Sequence, residues 1–358
     1  MTVNAEAEKA AVLAPDDVTF VAGELRPYLA DLLAREQAAW KERAGASWAD
    51  LPEALAAYLG GGKGLRPRFC YWGHALAGEH SSPQLLQAGA ALELLHTFAL
   101  IHDDLMDNSD TRRGRPALHR AIAAQHHRDG RAGDPDQYGH AMALLAGDLA
   151  FSVASRLAAA LPAPAVTIWS RMIDELVLGQ FLDLAGSARQ DRSRDVACAT
   201  TLLKSGQYTV TSPLRLGAAL GGVPELPAEL VRYGDLAGEA FQLRDDLLGV
   251  FGDPRRTGKP VGDDLMSGKP TQVLALAADM LPPYGQALLA LAGTSALTPS
   301  DAAELTGELV RCGARDRIEA KIRHNVDLAC ALVDRAAVPP RAGDALRKLA
   351  MAAADRQR

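Results

Sequence analysis

The 358-residue chain is 48% hydrophobic, 5% aromatic and 23% charged, which suits a large buried core and excludes a disordered chain or one dominated by membrane spans. Lys and Arg total 38 against 44 Asp and Glu, a formal charge of -6. That balance excludes a general field for nucleic acid or an anionic bilayer, so an anionic ligand must be held locally.

Alanine and leucine dominate the periodic segments and β-branched runs are short, which predicts an all-α fold. No long linker or compositional shift divides the chain, so one domain over 1–358 is expected, with a poorly ordered tail at 1–15. The opening MTVNAEAEKAAVLAP lacks a basic region followed by an apolar one, and no run of about 18 uncharged apolar residues follows. A cytoplasmic protein without a membrane span is expected. Cys70, Cys198, Cys312 and Cys330 show neither CxxC nor zinc-like spacing and read as thiols of a reducing compartment.

In chain order, GGGKGLRPRF at 60–69 comes first and supplies Lys63, Arg66 and Arg68 on a backbone that glycine lets a ligand approach closely. It is not a nucleotide P-loop, because Gly64 stands where Ser or Thr is required and no strand precedes it. Ser82 followed by Pro83 is a helix start, and the helix runs to about Asp107, roughly 37 Å at 1.5 Å per residue. Near its end Asp103 and Asp107, four apart, share a face, while Asp104 points about 100° away.

Like charges so placed cost the helix about 0.2 to 0.5 kcal/mol and lie at the end where the dipole disfavours anions. A solvated acidic helix end is one reading. The other is a Mg²⁺ site, since oxygen ligands without His or Cys suit an ion shared between carboxylates and substrate phosphates. Arg112 and Arg113 follow at once, and arginine's rigid fork matches phosphate oxygens.

Loops fit 128–139 and 186–194. A second long helix fits 227–251, carries Asp245 and Asp246 near its end, and breaks at Gly252-Asp253-Pro254. The loop that follows, expected over 253–264, continues as a Gly/Pro-rich segment to 270 and supplies Lys259 and Lys269. The echo between the two Asp-bearing helices is the only internal similarity, and two acidic helix ends facing one cavity is the arrangement it points to.

The motifs GKGLRPR, ELLHTFALIHDDLMDNSDTRRGRP, LLAGD at 144–148, GQFLDL at 179–184, LLKSGQYT at 202–209, FQLRDD and TGKPVGDDL form an ordered set over nearly the whole chain. The set resembles the trans (head-to-tail) isoprenyl diphosphate synthases, or polyprenyl synthetases, and among them most the geranylgeranyl diphosphate synthases. The resemblance implies an isoprenoid synthase-type helical bundle around a deep central cavity, working as a homodimer with a cluster of about three Mg²⁺ ions, as is usual for divalent-assisted phosphate chemistry. Its substrates would be isopentenyl diphosphate and an allylic diphosphate.

On that resemblance Asp103, Asp107 and Asp245 are Mg²⁺ ligands, with Asp104 and Asp246 supporting. Arg112, Lys204, Ser205, Gln242, Lys259 and Lys269 meet the allylic diphosphate; Arg112, Lys204 and Gln242 among them act in catalysis. Lys63, Arg66, His96 and Arg113 form the isopentenyl diphosphate pocket. By itself His96 is more often a core histidine than a ligand, and it is the resemblance that places it in this pocket. Gln180 and Asp183 line the site.

One departure stands out. The second motif reads DDLLG, with Gly249 where a third carboxylate is common, so no ligand comes from that position and weaker Mg²⁺ binding is expected. Phe98 and Ala99 lie five and four residues before Asp103; they resemble the aromatic floor and the small residue that together set a twenty-carbon product. A class I terpene cyclase would have no use for Lys63, Arg66 and the Arg112–Arg113 pair. A silent subunit of a heteromeric synthase would be expected to lose its acid clusters.

Overall fold

The structure, a computed structural model, describes residues 16–45, 55–56, 58–59, 62–78, 82–252 and 262–355. The expected tail at 1–15 and Lys259 lie outside the described residues. Helices make up nearly all of the described chain, and the fold is all-α as expected.

The first acid helix spans Pro83–Met106. Ser82 accepts a hydrogen bond from Leu85 N at 3.1 Å, satisfying one orphan amide, and Pro83 takes the first turn where no donor is needed. Leu85, Ala88, Ala90, Ala91, Leu92, Leu94 and Leu95 are all fully buried, so this stretch is enclosed on every side, as its unbroken apolar character requires. From Phe98 through Leu100 the burial relaxes, and Phe98, Ala99 and Leu100 are only half-buried.

Beyond the helix end lies a departure from the all-helical expectation, a two-residue hairpin pairing β1 (Thr111–Arg112) with β2 (Arg115–Pro116). Arg113 and Gly114 have φ 54° and 73°, the positive values that a two-residue hairpin turn needs. Its effect is to fold Arg112 back onto the helix it follows.

The second acid helix spans Ala228–Phe251 and is the wall between two buried apolar clusters. Leu236 and Ala237 belong to the larger cluster around the first acid helix. Leu243, Leu247 and Val250 belong to the second, with Leu265, Val273, Leu274 and Ile318. Tyr233 locks the wall in place by donating to Leu346 O at 2.7 Å inside the core.

Against the second acid helix and the Ala163–Arg189 helix packs a wide-turned segment, Thr201–Thr211, with i→i+5 hydrogen bonding, a geometry that recurs at functional sites. It is clasped at glycine-only distances. A β-carbon on Gly179 would lie 2.3 Å from Lys204 N, and one on Gly238 would lie 2.5 Å from Gly206 Cα.

Element ends differ locally from expectation. The loop expected at 186–194 begins late, because the Ala163–Arg189 helix continues through Gly186-Ser187-Ala188 and closes at Gln190 with φ 52°. The loop expected at 128–139 is shorter, since Asp134 caps the Pro135–Ala159 helix by accepting from Asp136 N and Gln137 N. Two helices, Pro83–Met106 and Pro135–Ala159, are long and apolar enough to cross a membrane by length and composition, and 56% and 39% of their most apolar windows are buried within the fold. They pack against each other along their length.

Candidate active site

The three aspartates of the first acid helix diverge as their helical phases dictate. Asp104 turns inward to 1% side-chain exposure, where Arg112 Nε donates to its Oδ1 at 2.8 Å and Tyr58 OH donates to its Oδ2 at 2.7 Å. The Tyr58 hydroxyl in turn accepts from Leu118 N at 3.3 Å. Arg112 also reaches Asp103 Oδ2, at 3.1 Å from Nη2. The hairpin thus delivers a guanidinium that clamps two adjacent carboxylates.

Asp103 and Asp107, on the other face, each meet a lysine from a distant element. Lys204 Nζ donates to Asp103 Oδ1 at 3.1 Å and to Asp183 Oδ2 at 2.5 Å. Lys269 Nζ donates to Asp107 Oδ2 at 2.6 Å. Burial opposes ionisation of Asp103, but Lys204, Lys269 and Arg112 outweigh it and hold its carboxyl well below the usual range. Burial likewise disfavours the two ammonium groups. Asp103 and Asp183 nevertheless hold Lys204 above its ordinary value, and Asp264, Asp107, Asp103 and Asp183 hold Lys269 well above.

On the second acid helix, Asp246 is 3% exposed. Its Oδ1 accepts from Gln242 Nε2 at 2.7 Å, and Gln242 Oε1 accepts in turn from the Ser205 hydroxyl. Its Oδ2 is buried with no hydrogen-bond partner among the described residues. Burial first, then Asp264, and further Asp245 and Asp183, push this carboxyl up to about 8 against the pull of the Gln242 hydrogen bond. Two distant segments connect this helix to the first acid centre. Ser205, next to Lys204 that bonds Asp103, donates to Gln242. Asp264 lies against Gly249, and Lys269 a few residues on bonds Asp107.

A second polar group gathers around Arg66 and Tyr208. Gly64, with φ 60°, starts the Leu65–His74 helix after an exposed Lys63. Arg66 lies 4.1 Å over the Tyr208 ring and donates to Thr209 Oγ1 at 3.0 Å; its Nε is buried without a hydrogen-bond partner among the described residues. The His96 ring stands 6.4 Å from the same tyrosine. A β-carbon on Gly62 would lie 3.5 Å from Arg113 Nη2 and 3.8 Å from Glu93 Oε2. Burial raises the Glu93 carboxyl, with Arg66, Arg113 and Arg26 pulling the other way. Glu93 is thus the acidic hub of a basic cluster.

The remaining candidates are placed more simply. The Phe98 ring packs 4.5 Å from His102 and 5.0 Å from Phe151, next to half-buried Ala99. Gln180 reaches the Met106 sulfur at 3.5 Å and not the carboxylates. Arg68 pairs with Asp17, away from the acid centre. Tyr58, Glu93 and Tyr208 were not legible as site residues; Glu93 and Tyr208 sit within motif-bearing stretches, but a lone tyrosine or glutamate carries no spacing signal.

Among the described residues no three carboxylates, imidazoles or thiols close on one point to hold a metal ion unaided, because cationic side chains stand between them. The donor set is nevertheless all oxygen, and Asp246 presents a buried carboxylate oxygen without a partner. This fits an ion such as Mg²⁺ that takes part of its coordination from phosphate and water.

The sequence and fold have measured relatives. A profile described as polyprenyl synthetase matches residues 49–308. The chain is 35% identical over 306 residues to a (2E,6E)-farnesyl diphosphate synthase of Mycobacterium tuberculosis, covering 83% of this chain and 80% of that one. It is 31% identical over 269 residues to a geranylgeranyl diphosphate synthase of Methanosarcina mazei, covering 72% and 75%. A solved geranylgeranyl pyrophosphate synthase from Corynebacterium glutamicum, complexed with isoprenyl diphosphate and magnesium, superposes with a TM-score of 0.88 at 35% identity, covering 96% of this chain and all of that one. The motifs and the fold agree: the chain belongs to the polyprenyl synthetase family and is a prenyltransferase that makes prenyl diphosphates.

Proposed function

We propose that the protein condenses isopentenyl diphosphate with an allylic diphosphate head to tail, giving geranylgeranyl diphosphate. The observation that carries this reading is that the lysines holding Asp103 and Asp107 come from segments packed on the second acid helix, through Ser205–Gln242 and Asp264 against Gly249. Asp103, Asp107 and Asp245 would hold about three Mg²⁺ ions, which would neutralise charge on the leaving diphosphate. Lys204, Lys269 and Arg112, with Lys259, bind the allylic diphosphate. Ser205 and Gln242, hydrogen-bonded to each other, present a carbonyl dipole toward the allylic cation.

Ionisation breaks the carbon–oxygen bond and leaves its electron pair on diphosphate. Preorganised cations stabilise that developing charge, the largest single contribution of such sites. Lys63, Arg66, His96 and Arg113 hold the second diphosphate, so that the isopentenyl double bond attacks the allylic carbon. A proton is then lost to the released diphosphate. The apolar wall at Phe98, Ala99 and Leu100 keeps water from the cation, and Phe98, backed by Phe151, closes the space at the length of a twenty-carbon chain.

The working form is a cytoplasmic homodimer without a membrane span. Support comes from exposed apolar residues on three site helices: Met106 at 48%, Leu144 and Leu145 at 48% and 52%, and Val177, Leu178 and Phe181 at 57%, 50% and 59%. The His102–Leu144 O and Gln180–Met106 contacts tie these helices together, and a clustered apolar surface of this kind marks an interface.

Product analysis tests the reading. Purified protein with Mg²⁺, isopentenyl diphosphate and each of the dimethylallyl, geranyl and farnesyl starters should give a twenty-carbon alcohol after dephosphorylation. A fifteen-carbon end point replaces the length assignment, and a diphosphate-free product from a single substrate replaces condensation with cyclisation.

A further inference from the structure

A buried polar knot outside the two acid centres joins four elements. Gln272, 6% exposed at the start of the Gln272–Ala278 helix, donates from Nε2 to Thr201 Oγ1 and to Glu239 Oε1, each at 3.1 Å. Its Oε1 accepts from Lys321 Nζ at 2.8 Å. Lys321 also meets Glu239 Oε1 at 2.7 Å, and Asn325 Nδ2 donates to Glu239 Oε2 at 2.7 Å. Both donors and the acceptor of the Gln272 amide are thus in use. Burial opposes the charge on Glu239, but Lys321, Asn325 and Gln272 hold its carboxyl below the usual range.

Each arm of the knot ends close to a residue of the site. Thr201 opens the wide-turned segment three residues before Lys204. Glu239 stands on the second acid helix three residues before Gln242. Gln272 follows Lys269 by three, and Thr271 N donates to Lys269 O at 2.8 Å, so that link is a tight turn without slack. Beyond these links, Lys204 and Lys269 hold Asp103 and Asp107, and Gln242 accepts from Ser205. A buried ion pair with its amide gives little net stability over an apolar filling of the same volume; the best-attested use of such groups is to fix register. Gln272 is bonded to three other elements at once, which places it at the centre of the knot.

We propose that Gln272, seated on Glu239 and Lys321, is a positioning residue for prenyl transfer. It fixes the Lys204 segment, the Lys269 segment and the Gln242 helix in one register, so that both lysines meet the same diphosphate. The inference rests on the roles given above to Lys204, Lys269 and Gln242.

Steady-state kinetics on the full chain with Mg²⁺, isopentenyl diphosphate and geranyl diphosphate test it, with melting temperatures measured alongside. Gln272→Leu fills a similar volume and leaves the Glu239–Lys321 pair in place, so the melting temperature should hold. Its kcat should nevertheless fall about 10- to 100-fold, the scale of a misplacement of about 1 Å. KM for isopentenyl diphosphate, bound in the Arg66 pocket, should stay within about 2-fold. The exchange variant Glu239→Gln with Gln272→Glu swaps acid and amide inside the knot and should bring kcat back to within a few-fold of wild type. If Gln272→Leu does not fold, Thr201→Val breaks one bond of the knot and carries the same test with a smaller loss. Unchanged kcat, or a loss of kcat that only follows a lost melting temperature, overturns the assignment. Lys204→Ala serves as the control: full turnover in that variant overturns the role of Lys204, and this inference with it. A Lys204→Ala loss beside an unaffected Gln272→Leu overturns the inference alone.

Discussion

Tyr58 hydrogen-bonds a carboxylate that in turn grips a buried arginine. A hydrogen bond to a charged group contributes about 1.5 to 3 kcal/mol, so Tyr58→Phe should cut kcat/KM about 10- to 100-fold in steady-state assays. The melting temperature should move little. Asp104→Ala should be worse in both respects, because it leaves the Arg112 guanidinium buried beside a single carboxylate.

Asp246 gives a pH signature. Folded, it keeps its proton to about 8; unfolded, it loses it near the ordinary value of about 3.9. The folded state thus binds more protons between these limits, and stability falls as pH rises through that window. In chelator, urea midpoints should drop from pH 5.5 to 8.5 in the wild type and much less in Asp246→Asn. Asp103 works oppositely: its depressed carboxyl adds stability above the unfolded value that is lost as pH falls below it. At this scale the sequence is informative where spacing encodes geometry. The four-residue offset separates Asp103 and Asp107 from Asp104, which faces Tyr58 instead. It is silent on Tyr58 and Glu93: the carboxylate that Tyr58 meets lies 46 residues away, and the arginines around Glu93 come from other elements.

Helix interfaces set where the lysines point. Gly179 meets the backbone of Lys204, where an added β-carbon would lie 2.3 Å from its nitrogen. Gly179→Ala must push the Thr201–Thr211 segment away, and Lys204 with it, from Asp103 and Asp183. The expected result is destabilisation of about 1 to 3 kcal/mol, the usual cost of overpacking, and a loss of kcat beyond what the lost stability explains. Denaturant melts run alongside kinetics separate the two effects. Long helices were legible through Ser82-Pro83 and the apolar period. The wide turns of Thr201–Thr211 were not, since they arise from glycine contacts with Gly179 and Gly238. Nor was the hairpin at Arg112, because a non-glycine residue, Arg113, takes the left-handed turn position.

Across the whole molecule, two motifs about 140 residues apart in sequence form one electrostatic unit, an outcome that helix packing decides and local pattern does not. The same packing leaves the apolar residues of three site helices facing outward. Phe181→Asp with Leu178→Asp should therefore yield monomers by light scattering. Phe98→Ala should lengthen the product by five or more carbons, because it removes the ring that packs on Phe151; an unchanged chromatogram would remove Phe98 from the floor.

The most direct test of a single centre built by both acid helices is a crystal structure with Mn²⁺ and a non-ionising allylic thiodiphosphate. Anomalous scattering peaks should lie between the diphosphate and Asp103 with Asp107, and between the same diphosphate and Asp245. Peaks on one helix only, or a diphosphate bound away from Lys204 and Lys269, would contradict the account.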